Sequence, residues 1–283
     1  MTRDEFRFDS AVDGLSLQAY CWAPPAKPRA VVVLAHGAAE HSLRYERFAA
    51  ALNGAGIELW SLDHRGHGHS PGPEGLGDFA EGGWDALVAD IGQLADQART
   101  ARPGLPVILF SHSMGSFAAQ QLILDDSDAI NALILSGSTA RLVEPGAASL
   151  PAKLNESFHP ARTPYDWLSR DETEVDKYIA DPLCGFESRG GRATPRYLTG
   201  RLAEPQELRR IRPDLPILLL AGDRDPVNRN LEGLTLLERR YRDAGIQRID
   251  KQIYPDGRHE MLNELNRDEV TANIITWLND IIG

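Results

Sequence analysis

Residues 107–124 read VILFSHSMGSFAAQQLIL. Val107–Phe110 is a short apolar run of the length of a strand buried on both faces, and Ser116–Leu124 is helix-like; between them stands Ser111-His112-Ser113-Met114-Gly115. So abrupt a passage from strand to helix predicts a tight turn. A side chain at its apex sits on strained backbone, where bulky residues two before or two after would clash. Ser111 and Gly115 are small, so Ser113 is a candidate nucleophile, with the Met114 N–H at the positive end of the helix aimed beside its Oγ. Taken alone, the string suits an ordinary N-cap serine equally well.

Outward from this turn the pattern repeats. After amino-terminal strand candidates at Phe6–Phe8 and Leu15–Tyr20 come apolar runs at Val31–Ala35, Ile57–Leu62, Val107–Ser111, Ala132–Ser136, Ile217–Ala221 and Ile249–Tyr254. Trp84, Leu87, Val88, Ile91, Leu94, Ala95 and Ala98 recur at helical spacing, as do Val270, Ile274, Trp277, Leu278 and Ile281. Buried strands alternating with amphipathic helices predict an α/β fold: a mostly parallel central sheet with helices on both faces.

One interval breaks the rhythm. From 137 to 213 there is no buried-strand run, while prolines, charges and the aromatics Phe158, Tyr165, Trp167, Tyr178, Phe186 and Tyr197 accumulate. A structureless connection of that length is improbable in a compact domain, so a helical cap over 137–213 is expected, inserted in a core of 1–136 and 214–283. The insertion is either a lid over a site at the strand ends or a surface elaboration. If it is a lid, its apolar aromatics are expected to set acyl preference, Phe158 or Trp167 among them.

The composition narrows the partners. Of 283 residues 42% are hydrophobic and 25% charged, as in globular proteins, and the formal charge of −11 disfavours a nucleic-acid-coating surface or a polybasic membrane patch. No apolar run approaches the ~18–20 residues of a membrane span, so no stable membrane insertion is expected. The start, MTRDEFRFDS, shows no secretory h-region. The two cysteines, Cys21 and Cys184, form no CxxC, which points to a reducing, cytoplasmic setting without a disulfide framework.

Two further strand candidates end in chemistry. Ile217–Ala221 runs into Gly222-Asp223-Arg224-Asp225-Pro226-Val227, and Ile249–Tyr254 into Pro255-Asp256-Gly257-Arg258-His259-Glu260. Ligands of parallel sheets bind outside the carboxyl ends of the strands, so a serine, an acid and a histidine would converge there. Each alone has a plainer reading, Asp225 as a turn acid before Pro226 and His259 as a surface histidine. The loop His36-Gly37-Ala38-Ala39-Glu40-His41 follows Val31–Ala35; Gly37 and Ala38 permit close backbone approach, and Ala38 N–H pairs with Met114 N–H as donors for a developing oxyanion. His36 reads as a loop-packing residue. A rival constellation, Asp63-His64-Arg65-Gly66-His67-Gly68-His69-Ser70, could offer His64, His67 and His69 to a metal, although its two glycines also suit a tight structural turn.

Taken together, HGAAEHSLRY (36–45), LDHRGHGHS (62–70), SHSMGS (111–116), GDRDPV (222–227) and YPDGRHEMLNE (254–264) resemble the monoacylglycerol lipase and lysophospholipase-like branch of the α/β-hydrolase family. TPYDWLSRD (163–171) and DPLCGF (181–186) resemble the cap of its bacterial members, so the likeness spans nearly the whole chain. It implies Ser113 as nucleophile, Asp225 rather than Asp223 as triad acid, His259 as base, and Ala38 and Met114 as oxyanion donors. The order Ser, Asp, His is that of the fold. One departure is Ser111, where the family has glycine; the turn is expected to survive with tighter packing.

The implied activity is a serine hydrolase without cofactor, acting through an acyl-enzyme on small esters with an apolar acyl chain, of monoacylglycerol or lysophospholipid type. The same machinery could serve a peptidase or thioesterase. A metal-dependent hydrolase using His64, His67 and His69 is a more distant alternative. A dehalogenase or epoxide hydrolase would want Asp where Ser113 stands. Oligomeric state is not legible.

Overall fold

The computed structural model describes residues 1–140, 154–187 and 200–283. Eight strands form one sheet: β1 (Thr2–Asp9), β2 (Ser16–Ala23), β3 (Ala30–Ala35), β4 (Ile57–Leu62), β5 (Val107–His112), β6 (Ala132–Ser136), β7 (Ile217–Gly222) and β8 (Ile249–Tyr254). Their spatial order is β1-β2-β4-β3-β5-β6-β7-β8. β1 and β2 pair antiparallel, β2 joins β4 antiparallel, and every later pair is parallel.

The sheet is buried on both sides because its central strands are largely apolar, and successive side chains point to opposite faces. Val31, Val33 and Ala35 of β3 join one core with α2 (Gly83–Ala101), α3 (Met114–Asp125) and a helix at Glu232–Ala244. Ala30, Val32 and Leu34 join the other, against α1 (Glu46–Gly54) and the terminal helix Arg267–Ile282. Among the described residues no helix is long and apolar enough to cross a membrane.

The expected strands are found, with β1 and β2 longer than their apolar cores. β1 is an edge strand whose outer residues are exposed and charged, so the hydrophobic pattern shows only its middle. Between β6 and β7 the described residues contain no strand. They hold a short 3₁₀ turn at Glu156–Phe158, a helix at Glu172–Ala180 and a turn of helix at Pro205–Leu208. Of the cap expected over 137–213, residues 141–153 and 188–199, with Tyr197, lie outside the described residues.

The Asp63–Ser70 string is a structural turn. Asp63 accepts from the N–H groups of Ser42 (2.9 Å) and His69 (2.8 Å), tying the turn after β4 to the loop after β3. Gly68 adopts φ +49°, and a Cβ there would stand 2.3 Å from Asp63 Oδ2. Arg65, fully buried, donates to Asp90 (2.8 Å), Asp13 (2.8 Å), Phe79 O (3.0 Å) and Ser10 Oγ (3.0 Å), binding the turn to the amino-terminal hairpin and α2.

This network yields a stability test. Arg65→Ala should destabilise the fold by about 3–5 kcal/mol, because Asp90 is left buried without its cation. Denaturant unfolding measures it; a loss below about 1 kcal/mol would show that the acids rehydrate freely.

Candidate active site

β5 delivers Ser113 at φ 50°, ψ −117°, immediately before α3. Three bonds hold it there. Ser113 N–H donates to Ser136 O at 3.0 Å, Gly115 N–H to His36 O at 3.1 Å, and Ser116 Oγ to Ser113 O at 2.6 Å. Gly115 is required by close approach, since a Cβ there would lie 2.3 Å from Ala35 O. Ser111 keeps the turn intact by donating its buried hydroxyl to Ile134 O of β6 at 2.9 Å. Neither Met114 N–H nor Ala38 N–H has an acceptor among the described residues.

Asp225 and His259 meet across the ends of β7 and β8. His259 Nδ1 lies 3.0 and 3.1 Å from the two Asp225 oxygens, and the pair is 1% and 0% exposed. Val227 N–H at 2.9 Å and the Asn228 side chain at 3.4 Å also donate to Asp225. Asp223 stands apart: its Oδ1 has no partner among the described residues. His259 Nε2 is buried and likewise unpartnered. The ring packs on Gly137, where a Cβ would come within 2.8 Å of His259 Cε1, and Gly137 directly follows the Ser136 carbonyl that holds Ser113.

Neighbouring imidazoles are tuned apart. Burial opposes charge on His259, but the Asp225 carboxylate outweighs it and raises the imidazole above its ordinary value. His112, whose ring centroid is 4.7 Å away, is pushed down to about 4 by burial and by His259 itself. A proton arriving here therefore settles on His259.

A buried ionic cluster, not expected from the sequence, borders the turn. Arg44 donates to Glu40 (2.6 Å) and by two nitrogens to Glu260 (2.8 and 2.7 Å), and lies 4.9 Å from the Tyr178 ring. Glu40 also accepts from Gly37 N–H (2.5 Å) and Tyr45 OH (2.9 Å). Burial would raise the Glu40 carboxyl, but Arg44 and the nearby imidazoles hold it at about 2. A Cβ at Gly37 would lie 2.7 Å from Glu40 Oε1 and 3.2 Å from Ser113 Cβ, which puts this carboxylate at the nucleophile candidate's side. Only the four-residue spacing of Glu40 and Arg44 hinted at the cluster in the sequence.

His64, His67 and His69 do not converge as ligands. His36, His64 and His67 stack as a buried group, with centroids 4.2 Å apart for His36 and His64 and 5.4 Å for His36 and His67. His69 turns away to Tyr20 and Asp63, half exposed. His36 is a packing residue, as expected, accepting from His64 N–H at 3.0 Å. Among the described residues His41, Asp181 and Cys184 do bring possible ligand atoms within 4.8 Å of one another. Their His41–Asp181 separation of 2.9 Å is a hydrogen bond, shorter than the roughly 3.4 Å between ligands of one tetrahedral zinc with ~2.1 Å bonds. Burial also pushes the Cys184 thiol up, against thiolate formation. The group ties the loop after β3 to the insertion, as does Gly185 N–H donating to Ala39 O at 3.0 Å.

The two aromatics expected to meet an acyl chain pack beside the histidine loop. The Trp167 ring sits 4.9 Å from His259, and Phe158 lies under the Arg258 guanidinium at 4.4 Å.

The chain is similar to known proteins over nearly its whole length. The family model for serine aminopeptidase, S33, matches residues 26–266. The monoacylglycerol lipase of Mycolicibacterium smegmatis is 31% identical, over 98% of this chain and 97% of its own. The human monoglyceride lipase is 32% identical, over 94% of this chain and 86% of its own. The crystal structure of a thermostable carboxyl esterase from Bacillus coagulans superposes with a TM-score of 0.88 at 27% identity, each chain fully covered. The chain belongs to the serine aminopeptidase S33 family and is an α/β-hydrolase of its monoacylglycerol lipase-like branch.

Proposed function

We propose that this carboxylic ester hydrolase cleaves monoacylglycerol-type esters through Ser113, His259 and Asp225. The observation that carries the reading is the dry Asp225–His259 pair, spanning two strand ends beside the strained turn that presents Ser113. In this reading His259 Nε2 takes the Ser113 proton as Oγ attacks the ester carbonyl, while Asp225 accepts from Nδ1–H and stabilises the imidazolium. The N–H groups of Ala38 and Met114 receive the oxyanion. The alcohol leaves with the proton from His259, and an acyl-enzyme remains. Water deprotonated by His259 then releases the fatty acid and free serine. The described part of 137–213 acts as a cap that bounds the alcohol and acyl sites.

The headgroup follows from charge. Glu40 at the side of Ser113 and Glu260 next to His259 in the chain are two carboxylates to one guanidinium, and Arg44 spends its donors on both. The excess carboxylate charge repels phosphate, which favours a neutral glyceryl ester over an anionic lysophospholipid. The names of the relatives above point the same way. The carboxylate excess would also suit the ammonium of an aminopeptidase substrate, but Glu40 is already occupied by Arg44, Gly37 N–H and Tyr45. Hydrolysis rates across monoacylglycerols, lysophosphatidic acids, p-nitrophenyl esters, acyl thioesters and aminoacyl anilides test this. Monoacylglycerols should exceed lysophosphatidic acids of equal chain length by at least about tenfold in kcat/KM, the factor that ~1.4 kcal/mol of charge discrimination supplies. A preference for the phosphate, the anilide or the thioester would refute the reading.

Ser113→Ala should leave a folded protein with esterase turnover lowered by several orders of magnitude, to the rate that binding and the oxyanion donors sustain. Mass mapping after phosphonate treatment should find the adduct on Ser113; a label on another serine transfers the nucleophile there.

The two acids should separate cleanly. Asp225→Asn should lower kcat on the order of 10⁴-fold, whereas Asp223→Asn should have a small effect. Activity needs neutral His259, so in the native enzyme it rises with pH through that group's raised pKa. Without the Asp225 charge burial dominates, and the acid limb of the residual activity should move to lower pH. An unmoved limb, or a crippled Asp223→Asn, would contradict the assignment.

A further inference from the structure

We propose that Trp167, from the insertion between β6 and β7, is a positioning residue for His259, fixing the imidazole in the plane that joins Nδ1 to Asp225. This rests on reading His259 as the general base. Its observation is separate from those that identified the base: an aromatic side chain of the inserted segment packs on the imidazole itself, with centroids 4.9 Å apart and planes inclined by 40°.

An imidazole bonded at one nitrogen can still swing about that bond. His259 Nδ1 is held by Asp225, but its Nε2 has no partner among the described residues to stop such rotation. Packing must do so instead. His112 at 4.7 Å and Gly137 supply contacts from the core strands, and the Trp167 indole supplies a large flat contact from outside them. A rigid indole with two side-chain torsions does this at low entropic cost, provided that its own backbone is fixed.

That backbone is fixed to the loop it supports. Trp167 N–H donates to Asn155 Oδ1 at 2.9 Å, and its carbonyl accepts from His259 N–H at 3.4 Å. One residue on, Leu168 O accepts from Glu260 N–H at 2.8 Å. Arg258 reaches the carbonyls of Asp166 and Ser169, Ser169 Oγ donates to Asn263 O at 2.8 Å, and Glu264 accepts from Arg258 N–H (2.9 Å) and the Arg170 side chain (2.8 Å). Residues 166–170 and 258–264 are therefore one stitched unit. This stretch of the insertion is the seat of the base, and an acyl chain is selected elsewhere.

A wall of the acyl pocket and a seat for the base predict different kinetics. An acyl-pocket residue affects long chains and spares acetate, while a positioning residue affects the chemical step on both. Trp167→Ala should lower kcat about 10- to 100-fold on p-nitrophenyl acetate and on a long-chain ester alike, with KM little altered, the scale on which small misplacements of reacting groups are felt. Trp167→Phe, which keeps a flat ring, should recover most of that loss. Melting temperatures of both variants separate misplacement from unfolding. If Trp167→Ala fails to fold, the difference in emission between native protein and Trp167→Phe decides the matter. An imidazolium quenches a neighbouring indole, so Trp167 emission should fall with the same midpoint as the acid limb of kcat/KM, and this titration should vanish in His259→Ala. Loss confined to long-chain esters, or Trp167 emission indifferent to His259, overturns the proposal. Retention of activity by His259→Ala would instead refute the assignment of the base, on which the proposal rests.

Discussion

Ser113 stands at φ 50°, ψ −117°, where a side chain on Cβ crowds its own backbone, at a cost of about 1–3 kcal/mol. Such a conformation persists only if the surroundings over-determine it. Here the bond from Ser113 N–H to β6, that from Gly115 N–H to the loop after β3, and α3 beginning at the next residue all demand it together. Each constraint also places a second part of the site. The bond to Ser136 puts Gly137 under the histidine, and the bond to His36 brings the Ala38 loop beside the turn. The parallel sheet makes this possible, because only neighbouring parallel strands end side by side on the same edge.

Around that turn, burial and charge divide the titrating groups. The imidazoles of His36, His64, His67 and His112 are all driven down, burial leading in each, and the latter two stand at about 3 and 4. His259 is as deeply buried, yet its carboxylate partner reverses the sign. Of these five, His259 is the one whose hold on a proton is strengthened rather than weakened. The same low-dielectric surroundings make Arg44 indispensable to Glu40 and Glu260, which would otherwise be unpaired charges in a dry wall.

The sheet was legible in the sequence because it is covered on both faces. Ile57–Leu62 and Ala132–Ser136, buried throughout, begin and end where the expected runs do. β1 was legible only in part, since its exposed outer positions answer to pairing with β2 rather than to burial. The helices Glu46–Gly54 and Glu232–Ala244 were not marked by the pattern. The first is short and alanine-rich, and the second carries its anchors Leu234, Leu237 and Tyr241 among many charges. Ser113, Asp225 and His259 stood out as candidates because each comes shortly after the end of a recognisable strand. The Arg44 cluster and the placement of Trp167 could not, because they depend on contacts between segments more than ninety residues apart.

Ser111 shows how such a site absorbs a departure from its family's pattern. Glycine two before the apex of the turn is read as a demand for space, but the Ser111 hydroxyl finds the Ile134 carbonyl of the adjacent strand at 2.9 Å. A buried hydroxyl without a partner would cost about 1–3 kcal/mol, whereas a satisfied one adds a tie between β5 and β6 at the point where the turn is strained. Gly115 has no such escape. A Cβ there would meet the carbonyls of Ala35 and His36, backbone that cannot retreat without moving β3 and the loop that follows it. The two small residues flanking Ser113 thus answer to different constraints, one to the partners available to a side chain and the other to the distance between backbones.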